Sequence, residues 1–269
     1  MSMDKQMQVV FSASRNLYPY ITAGIHSLIA NNPNCKVWLF LEDDEVPYAL
    51  PEQCEIVNVA GQTFFGADCA NIRTTYTYMS LMRATYAKLF TGEPNGYGIR
   101  TLPKLDKIVQ MDVDVVVRGS LQPLWDVDMD GKWFFMTHEA MGGYKPFGKS
   151  EPYYYNCGVC VFNLEQMRKD DIADEAIELL NKNKWMCIDQ DCWNYLLKKY
   201  GYDKCLPMGA KYNSTTLTGS AGPDRDVVIH YAGERFWYRN FDEVYRGKYM
   251  KEWSKVFEYE ACKKAGLVK

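Results

Sequence analysis

Short apolar runs alternate with amphipathic segments at the start of the chain. Residues 7–13 form a strand-length apolar run, and residues 17–29 then carry apolar side chains at helical spacing until Pro33 ends the pattern. Two further runs, 36–41 and 55–59, are typical of strands, and the first is nearly continuous in apolar residues, as a strand covered on both faces should be. This alternation predicts an α/β fold with a mainly parallel sheet.

The same kind of pattern continues after a polar loop that contains glycine. Residues 76–90 have helical spacing, residues 91–105 are rich in glycine and proline, as in a surface excursion, and residues 107–117 are the most strand-like segment. Neither an internal repeat nor a long linker divides the sequence, so we expect one domain. The other predicted elements are strands at 133–137, 154–163 and 227–231 and helices at 165–181, 189–200 and 249–265.

Composition narrows the class of protein. The 31 basic and 34 acidic residues give a formal net charge of −3 without a long basic stripe, which disfavours nucleic-acid partners. Apolar runs fall far short of the roughly 20 residues of a membrane span, so no transmembrane segment is expected. The N-terminus lacks the layout of a secretory signal. The nine cysteines are an odd number, which fits reduced thiols in a reducing compartment. Together these features predict a cytoplasmic protein.

Two carboxylates stand two positions apart in the most strand-like segment. In a strand, Asp112 and Asp114 would share one face while Val113 points the other way into the fold. Carboxylates so placed suit a hard divalent cation, which can neutralise the charge that develops on a departing diphosphate. Asp-x-Asp is common by chance, so a solvated pair on a strand edge remains the alternative when the motif is taken alone.

Four ordered stretches place the carboxylates in a wider context. Residues 107–125 (KIVQMDVDVVVRGSLQPLW) contain the Asp-x-Asp, a β run and a Leu-x-x-Leu-Trp turn. This stretch resembles one in family 8 glycosyltransferases, which include the bacterial lipooligosaccharide galactosyltransferases and glycogenin. Residues 154–172 resemble the same family's Asn-x-Gly strand and following helix, and residues 189–191 match a third segment. Residues 228–233 (VIHYAG) with Trp237 resemble its C-terminal metal and phosphate element.

The resemblance implies a GT-A fold, which is a Rossmann-like α/β domain with a mainly parallel central sheet and flanking helices. In such a domain the nucleotide binds at the C-terminal ends of the strands. The resemblance also implies how a single domain 1–269 is divided. Residues 1–125 would form the nucleotide-binding half, 126–240 the acceptor and catalytic half, and 241–269 a C-terminal helical extension.

Three residues are implied as ligands of Mn²⁺ or another divalent cation, namely Asp112, Asp114 and His230. Two oxygen donors and one nitrogen donor would hold the ion, and diphosphate oxygens would complete its coordination. Taken alone, His230 would more often be a packed or surface histidine. Its place between a β run and Ala232-Gly233 favours a ligand.

The resemblance further implies contacts to a UDP-sugar donor. Asn156 would bond hydroxyl groups of the sugar, and Asp189 would hold the far side of the ring. Arg83 would donate to hydroxyl groups or phosphate, although a surface arginine on a helix is the alternative. Arg235 stands near the place of a family lysine on the β-phosphate. The implied donor-binding residues are Ala13, Asn16, Arg83, Asp112, Val113, Asp114, Asn156, Cys157, Gly233 and Arg235.

Asp189, Gln190 and Asp191 are implied as catalytic residues. Gln190 would lie near the β face of the anomeric carbon, where double displacement requires a nucleophile, but an amide is a poor nucleophile. This favours a front-face path, in which the acceptor hydroxyl attacks as UDP leaves and a phosphate oxygen takes the proton. Asp191 is the alternative nucleophile.

The resemblance therefore implies a metal-dependent retaining hexosyltransferase of EC 2.4.1 type. It would move glucose or galactose from a UDP-sugar to an unidentified carbohydrate, lipid-linked or protein acceptor. The acidic uracil contact that the family commonly has after its first strand is Ser14 here. Two alternatives are a catalytically inactive UDP-sugar-binding module and a sugar-phosphate nucleotidyltransferase. The second is disfavoured because residues 7–21 contain no glycine for a phosphate loop.

Cys157 and Cys160 have the spacing of a redox or zinc pair. Their apolar neighbours, and the lack of a second cysteine pair at ligand spacing, favour buried thiols instead. The aromatic loop that precedes them contains candidates to face an acceptor, namely Tyr144, Phe147 and Tyr153. His138 and Glu139, at a predicted strand end, are expected to give structural support rather than to line the acceptor cleft.

Overall fold

The computed structural model describes residues 6–73, 77–140, 144–148, 151–233 and 245–269. Within these ranges the predicted apolar runs form strands close to their predicted positions, and a further strand, which the sequence does not predict, lies at Cys205–Met208. The strands are β1 (Gln8–Ser12), β2 (Lys36–Leu41), β3 (Cys54–Asn58), β4 (Lys107–Met111), β5 (Val115–Val117), β6 (Phe134–His138), β7 (Tyr155–Asn163), β8 (Cys205–Met208) and β9 (Val228–His230).

Seven of these strands form one sheet with the order β3-β2-β1-β4-β7-β6-β8. Neighbouring strands run parallel except at β7, which is antiparallel to both β4 and β6. The predicted mainly parallel sheet is therefore confirmed. Strands β5 and β9 form a separate antiparallel ribbon.

The prediction of one continuous strand over 107–117 is wrong. The backbone N–H of Asp112 still donates to the carbonyl of Gly158 at 2.7 Å, but the chain then leaves the main sheet. Beyond the turn, the N–H of Tyr231 donates to the carbonyl of Asp114 at 2.9 Å, and β5 pairs with β9. Strand periodicity therefore does not govern the two carboxylates, because they lie in a turn between strands of different sheets.

Helices cover both faces of the main sheet, and three predicted helices are interrupted. The segment predicted at 76–90 is a 3-10 helix (Tyr78–Thr85) that continues into an α-helix (Tyr86–Leu89), and residue 76 lies outside the described ranges. The helix predicted at 165–181 breaks where Asp171 adopts a left-handed conformation with φ 50°. The helix predicted at 249–265 is divided by a 3-10 turn, after which Phe257 is extended. The α-helices are α1 (Tyr18–Asn31), α2 (Tyr86–Leu89), α3 (Gln122–Trp125), α4 (Leu164–Lys169), α5 (Ile172–Lys182), α6 (Ile188–Tyr200), α7 (Tyr245–Trp253) and α8 (Tyr259–Lys264).

Two hydrophobic clusters lie on opposite faces of the main sheet, because successive strand residues point to opposite sides. In β1, Val9 and Phe11 join the cluster that includes α1, while Val10 joins the cluster that includes α2, α4, α5 and α6. All three side chains are fully buried, as expected for a strand covered on both faces. Among the residues that the structure describes, no helix combines the length and apolarity needed to cross a membrane.

One edge of the main sheet collects most of the polar residues singled out by the sequence. Asp112 follows the C-terminal end of β4, and Glu139 follows that of β6. Asn156 lies at the N-terminal end of β7, which reaches the same edge because β7 runs in the opposite direction. This is the edge at which open α/β sheets bind their ligands.

Candidate active site

Three potential ligand atoms converge beyond the end of β4. Nε2 of His230 lies 3.4 Å from Oδ2 of Asp112 and 3.3 Å from Oδ1 of Asp114. The candidate ligand atoms of the three residues all lie within 4.8 Å of one another. The β5–β9 ribbon creates this arrangement, because His230 pairs with Val115, the residue after Asp114.

The electrostatics of the cluster suit a bound cation. His230 is buried, which by itself would lower its pKa, but the carboxylates of Asp114 and Asp112 outweigh burial and raise the pKa to about 10. Burial would raise the pKa of Asp112, yet Arg83 and His230 hold it below its usual range. The carboxylates that stabilise a proton on His230 would also stabilise a metal cation, which would have to displace that proton from Nε2. Two carboxylate oxygens and one imidazole nitrogen form a donor set that fits a divalent ion such as Mn²⁺.

Arg83 joins this cluster to α6. Its guanidinium bonds Oδ1 of Asp112, and its Nη1 lies 3.0 Å from Oδ2 of Asp189. Only 11% of the Arg83 side chain is exposed, so the alternative of a surface arginine is wrong. Burial raises the pKa of Asp189 to about 6, although Arg83 opposes the shift. We call Arg83, Asp112, Asp114, Asp189 and His230 the ion-pair group.

A second set of polar side chains continues from His230 into the sheet. Nδ1 of His230 lies 2.8 Å from Oδ1 of Asn213, which is fully buried. The Asn213 amide then donates from Nδ2 to Oδ1 of Asn156 at 2.8 Å. The same Asn156 oxygen accepts the backbone N–H of Gly158 at 2.8 Å. The imidazole is thus held on the side opposite the carboxylates.

Glu139 is the other end of this set. Its Oε2 accepts from Nδ2 of Asn156 at 2.8 Å and from Nε2 of Gln190 at 3.2 Å. Oε1 of Gln190 accepts the backbone N–H of Cys157 at 3.1 Å, so the amide is fixed at both ends. Burial raises the pKa of Glu139, although both amides oppose the shift. We call Glu139, Asn156, Gln190 and Asn213 the amide group.

Asp191 accepts hydrogen bonds at both oxygens and is linked to the amide group through the Tyr154 hydroxyl, which accepts from Nε2 of Gln190 at 3.2 Å. Oδ1 accepts the hydroxyl of Tyr154 at 2.5 Å, and Oδ2 accepts the hydroxyl of Tyr144 at 2.7 Å and the N–H of Cys187 at 2.8 Å. The residue is only 1% exposed. A carboxylate that is buried and bonded in this way is poorly placed to attack a sugar, so its position favours structural support over the predicted alternative nucleophile.

The remaining predicted donor contacts occupy different surroundings. Ala13 is buried at the end of β1, and Asn16 is exposed, with its Oδ1 2.7 Å from the Ser14 hydroxyl. Val113 lies in the turn between the two carboxylates, and Gly233 is exposed with φ +70°. Arg235 lies outside the described residues.

The aromatic candidates are held by contacts of their own. Tyr144 bonds Asp191, and Phe147 packs edge-on against Trp185 and Tyr195. Tyr153 is 50% exposed and is the most accessible of the three. Its ring packs edge-on against His138 and Tyr202, and a contact with an acceptor stays a prediction.

The cysteines behave as the sequence predicts. All nine are free thiols. Cys157 and Cys160 are buried within β7, and burial raises the pKa of both thiols well above the usual value. Among the described residues, the cluster suited to a metal is the one around His230 rather than this pair.

Residues 8–240 match the sequence model of the family described as glycosyl transferase family 8. The chain belongs to this family. The match covers most of the chain and includes every residue of the ion-pair and amide groups. The resemblance drawn from four short stretches is therefore confirmed.

Relatives of this family 8 chain carry the same kind of description. A Haemophilus influenzae (strain Rd) protein named as a glycosyltransferase is 26% identical over 265 residues, which are 87% of this chain and 73% of that protein. The glycosyltransferase GlyB of Streptococcus pneumoniae serotype 4 is 20% identical over 269 residues, which are 92% of this chain and 63% of GlyB. The chain therefore spans slightly less than two thirds of GlyB.

Solved structures of similar architecture establish the fold. An active-site mutant of LgtC superposes with a TM-score of 0.69 at 22% identity, covering 94% of this chain and 96% of LgtC. A complex of the galactosyltransferase LgtC with donor and acceptor sugar analogues gives 0.62 at 19% identity over the same shares. Streptococcus pneumoniae GlyE gives 0.62 at 17% identity, covering 96% of this chain and 64% of GlyE. The family 8 chain thus has the GT-A fold predicted from its sequence.

Two members of the amide group were not recognised from the sequence as parts of a site. Asn213 stands in a run of small polar residues without a motif, and Glu139 was expected to give only structural support. The position of Glu139 could have indicated a site residue, because it directly follows a strand that ends at the sheet edge where open α/β sheets bind their ligands. Asn213 gave no comparable signal in a single sequence.

Proposed function

We propose that this family 8 glycosyltransferase is a Mn²⁺-dependent, retaining hexosyltransferase that uses UDP-glucose or UDP-galactose. The observation that carries the proposal is the contact between two groups of different chemistry. Asp112, Asp114 and His230 offer ligand atoms for a cation, and the amide group begins at the far nitrogen of the same imidazole. A diphosphate beside the cation would place its attached sugar next to these amides.

Asp112, Asp114 and His230 would hold the ion, which neutralises the negative charge that develops on UDP as it leaves. Asn156 and Asp189 would orient the sugar through its hydroxyl groups. Arg83 bonds both Asp112 and Asp189, so it would fix the position of the cation ligand Asp112 relative to the sugar-binding residue Asp189. The Arg83 Nε, which is buried without a partner, is a further donor close to this place.

Retention by a front-face path agrees with the contacts of the candidate nucleophiles. Both ends of the Gln190 amide are bonded, and both oxygens of Asp191 accept hydrogen bonds. The acceptor hydroxyl would therefore attack from the side of the departing UDP, whose phosphate oxygen takes the proton. Intact-protein mass spectrometry with a slowly reacting donor tests this path. A sugar adduct on Gln190, Asp191 or Glu139 would overturn it.

Donor hydrolysis tests the function without an acceptor. The purified protein is incubated with UDP-glucose, UDP-galactose and other nucleotide sugars, with and without Mn²⁺, and release of UDP is measured. We expect cleavage of a UDP-hexose only with the metal, and its loss in His230→Ala but not in the control His26→Ala, which changes a histidine on α1. UDP binding without cleavage would favour an inactive binding module, and pyrophosphate release would favour a nucleotidyltransferase.

Several finer points stay predictions. This proposal includes the division of the chain at residues 125 and 240. It also includes an acceptor that is a carbohydrate, a lipid-linked molecule or a protein, and a cytoplasmic location. The free thiols support a reducing compartment. Arg235 as a phosphate contact is likewise a prediction, and Arg235→Ala is expected to weaken UDP binding.

A further inference from the structure

The His230 ring is restrained on more than one side. Its Nε2 faces the two carboxylates, while its Nδ1 lies 2.8 Å from Oδ1 of Asn213. Gly158 lies against the ring so closely that a Cβ there would overlap the imidazole. The ring is therefore positioned by a hydrogen bond at one end and by steric contact with a backbone that has no side chain.

Asn213 is placed for this contact by the segment that follows it. The neighbouring Ser214 accepts the backbone N–H of His230 at 3.0 Å and donates its own N–H to the carbonyl of Val228 at 3.0 Å. The Asn213 carbonyl accepts the hydroxyl of Thr218. Amide and imidazole thus project from two paired segments, and a shift of one relative to the other is opposed by backbone hydrogen bonds.

The Asn213 amide uses its two halves for different partners. Its oxygen faces His230, and its nitrogen donates to Asn156 at 2.8 Å. Asn156 in turn donates to Glu139 at 2.8 Å. Because an amide has one acceptor and one donor end, the contact with His230 also determines which way Asn156 points. Aspartate, leucine or serine at 213 would break at least one of these two contacts.

We propose that Asn213 is a positioning residue that couples the cation ligand His230 to the donor-sugar residue Asn156. By accepting from Nδ1, Asn213 leaves the Nε2 lone pair directed at the ion site, and it orients the Asn156 amide toward the sugar. Groups that orient a metal-bound histidine in this way commonly contribute about 10- to 100-fold to metal affinity. The inference rests on the proposed function, in which His230 binds Mn²⁺.

The first test measures Mn²⁺ affinity by electron paramagnetic resonance, without a donor or turnover. Asn213→Ala should weaken binding about 10- to 100-fold. Asn213→Asp keeps an oxygen for Nδ1 and should bind Mn²⁺ within about threefold of the unmodified protein, which also covers the case that the alanine variant does not fold. Asn71→Ala is the matched control. Asn71 is equally buried and bonds Leu180, Asn183 and Trp185, none of which belongs to the ion-pair or amide group, so its loss should leave Mn²⁺ affinity unchanged.

The second test separates the two halves of the amide. Asn213→Asp removes the donor to Asn156, so its kcat for UDP-sugar hydrolysis should fall by at least about tenfold although Mn²⁺ still binds. An Asn213→Ala protein that binds Mn²⁺ like the unmodified protein overturns the proposal. Equal losses of affinity in Asn213→Ala and Asn71→Ala overturn it as well, because they would indicate a general structural effect.

Nuclear magnetic resonance distinguishes failure of this inference from failure of the proposed function. The chain has only three histidines, so the His230 ring signals can be assigned with His230→Ala. Metal-free protein should show a Nδ1–H proton protected from exchange, and Asn213→Ala should lose that protection. If the protection is present but Mn²⁺ does not bind, the proposed metal dependence fails while the positioning contact stands. If the protection is absent, or survives in Asn213→Ala, the inference is wrong.

Discussion

The ion-pair group and the amide group adjoin each other at His230 but are stabilised differently. In the ion-pair group, Arg83 lies between two carboxylates, and each member compensates a full charge nearby. In the amide group, the contacts are hydrogen bonds of 2.8 to 3.2 Å among three amides and Glu139. Loss of one partner in the ion-pair group leaves an unpaired charge buried, which lowers the free energy of unfolding strongly. In the amide group, a neutral substitution that keeps the hydrogen bond changes that free energy little. The two groups should therefore differ in tolerance to substitution.

The largest expected effect is in the ion-pair group. Arg83→Met leaves Asp112 and Asp189 without their shared cation, so the free energy of unfolding, measured with urea, should fall by about 3–5 kcal/mol. Arg100→Met is the control, because Arg100 is 44% exposed, pairs with Glu55 and should cost at most about 1 kcal/mol. Similar losses in both variants would show that the buried ion pairs do not set the stability of this group.

A pH dependence of nearly that size should come from Asp189. Burial raises its pKa to about 6 from an ordinary 3.8, so the folded state holds the proton more tightly than the unfolded state. The resulting stabilisation is present below pH 3.8 and is lost as the pH rises to about 6, a change of about 3 kcal/mol. Unfolding of the metal-free protein and of Asp189→Asn is compared at pH 4 and pH 7. The unmodified protein should lose stability relative to Asp189→Asn between pH 4 and pH 7, and a relative gain would mean that the ion pair with Arg83 outweighs burial.

Gly158→Ala tests the junction of the two groups and should have an intermediate effect. The added Cβ would overlap the His230 ring, so the ring must move and Mn²⁺ affinity should fall about 10- to 100-fold. Gly209→Ala is a suitable control, since no atom lies within 4 Å of a Cβ at that position. Titration with Mn²⁺ measures both. Unchanged affinity in Gly158→Ala would show that the ring position does not determine metal binding.

The smallest effect is expected within the amide group. Glu139→Gln retains an oxygen that can accept from both Asn156 and Gln190, and burial already raises the pKa of the Glu139 carboxyl. The free energy of unfolding at pH 7 should therefore change by less than about 1 kcal/mol. Urea unfolding beside the unmodified protein checks this. A loss comparable to that of Arg83→Met would remove the distinction between the two groups.

The sequence predicts six of the seven strands of the main sheet, because each of the six is a short apolar run bounded by polar residues. It does not predict β8, whose four residues include Pro207. The strand predicted at 36–41 has those bounds in the structure. The break after Met111 is different, since the valines on either side of Asp112 and Asp114 suit a strand whether or not it continues in the same sheet. Only the pairing of β5 with β9 distinguishes the two cases, and that is a contact between distant parts of the chain.

Site residues were predictable where a motif surrounds them. Asp112 and Asp114 stand in a short pattern that a single sequence displays, while Asn213 acquires its role only through contacts with residues far away in the sequence. The break at Asp171 is similar, because a left-handed conformation at a residue other than glycine leaves no mark on hydrophobic periodicity. Local patterns therefore predict elements and motifs, but not the contacts that complete a site.

The β5–β9 ribbon also affects when the site can form during synthesis. It joins Val115 to His230, positions about 115 residues apart, so the chain between them must be made and folded before the ribbon can close. A nascent chain still attached to the ribosome and ending before β9 carries both aspartates but lacks the imidazole. Affinity for a divalent ion would thus arise late in translation. Binding of the ion by a nascent chain would indicate that β9 has paired with β5.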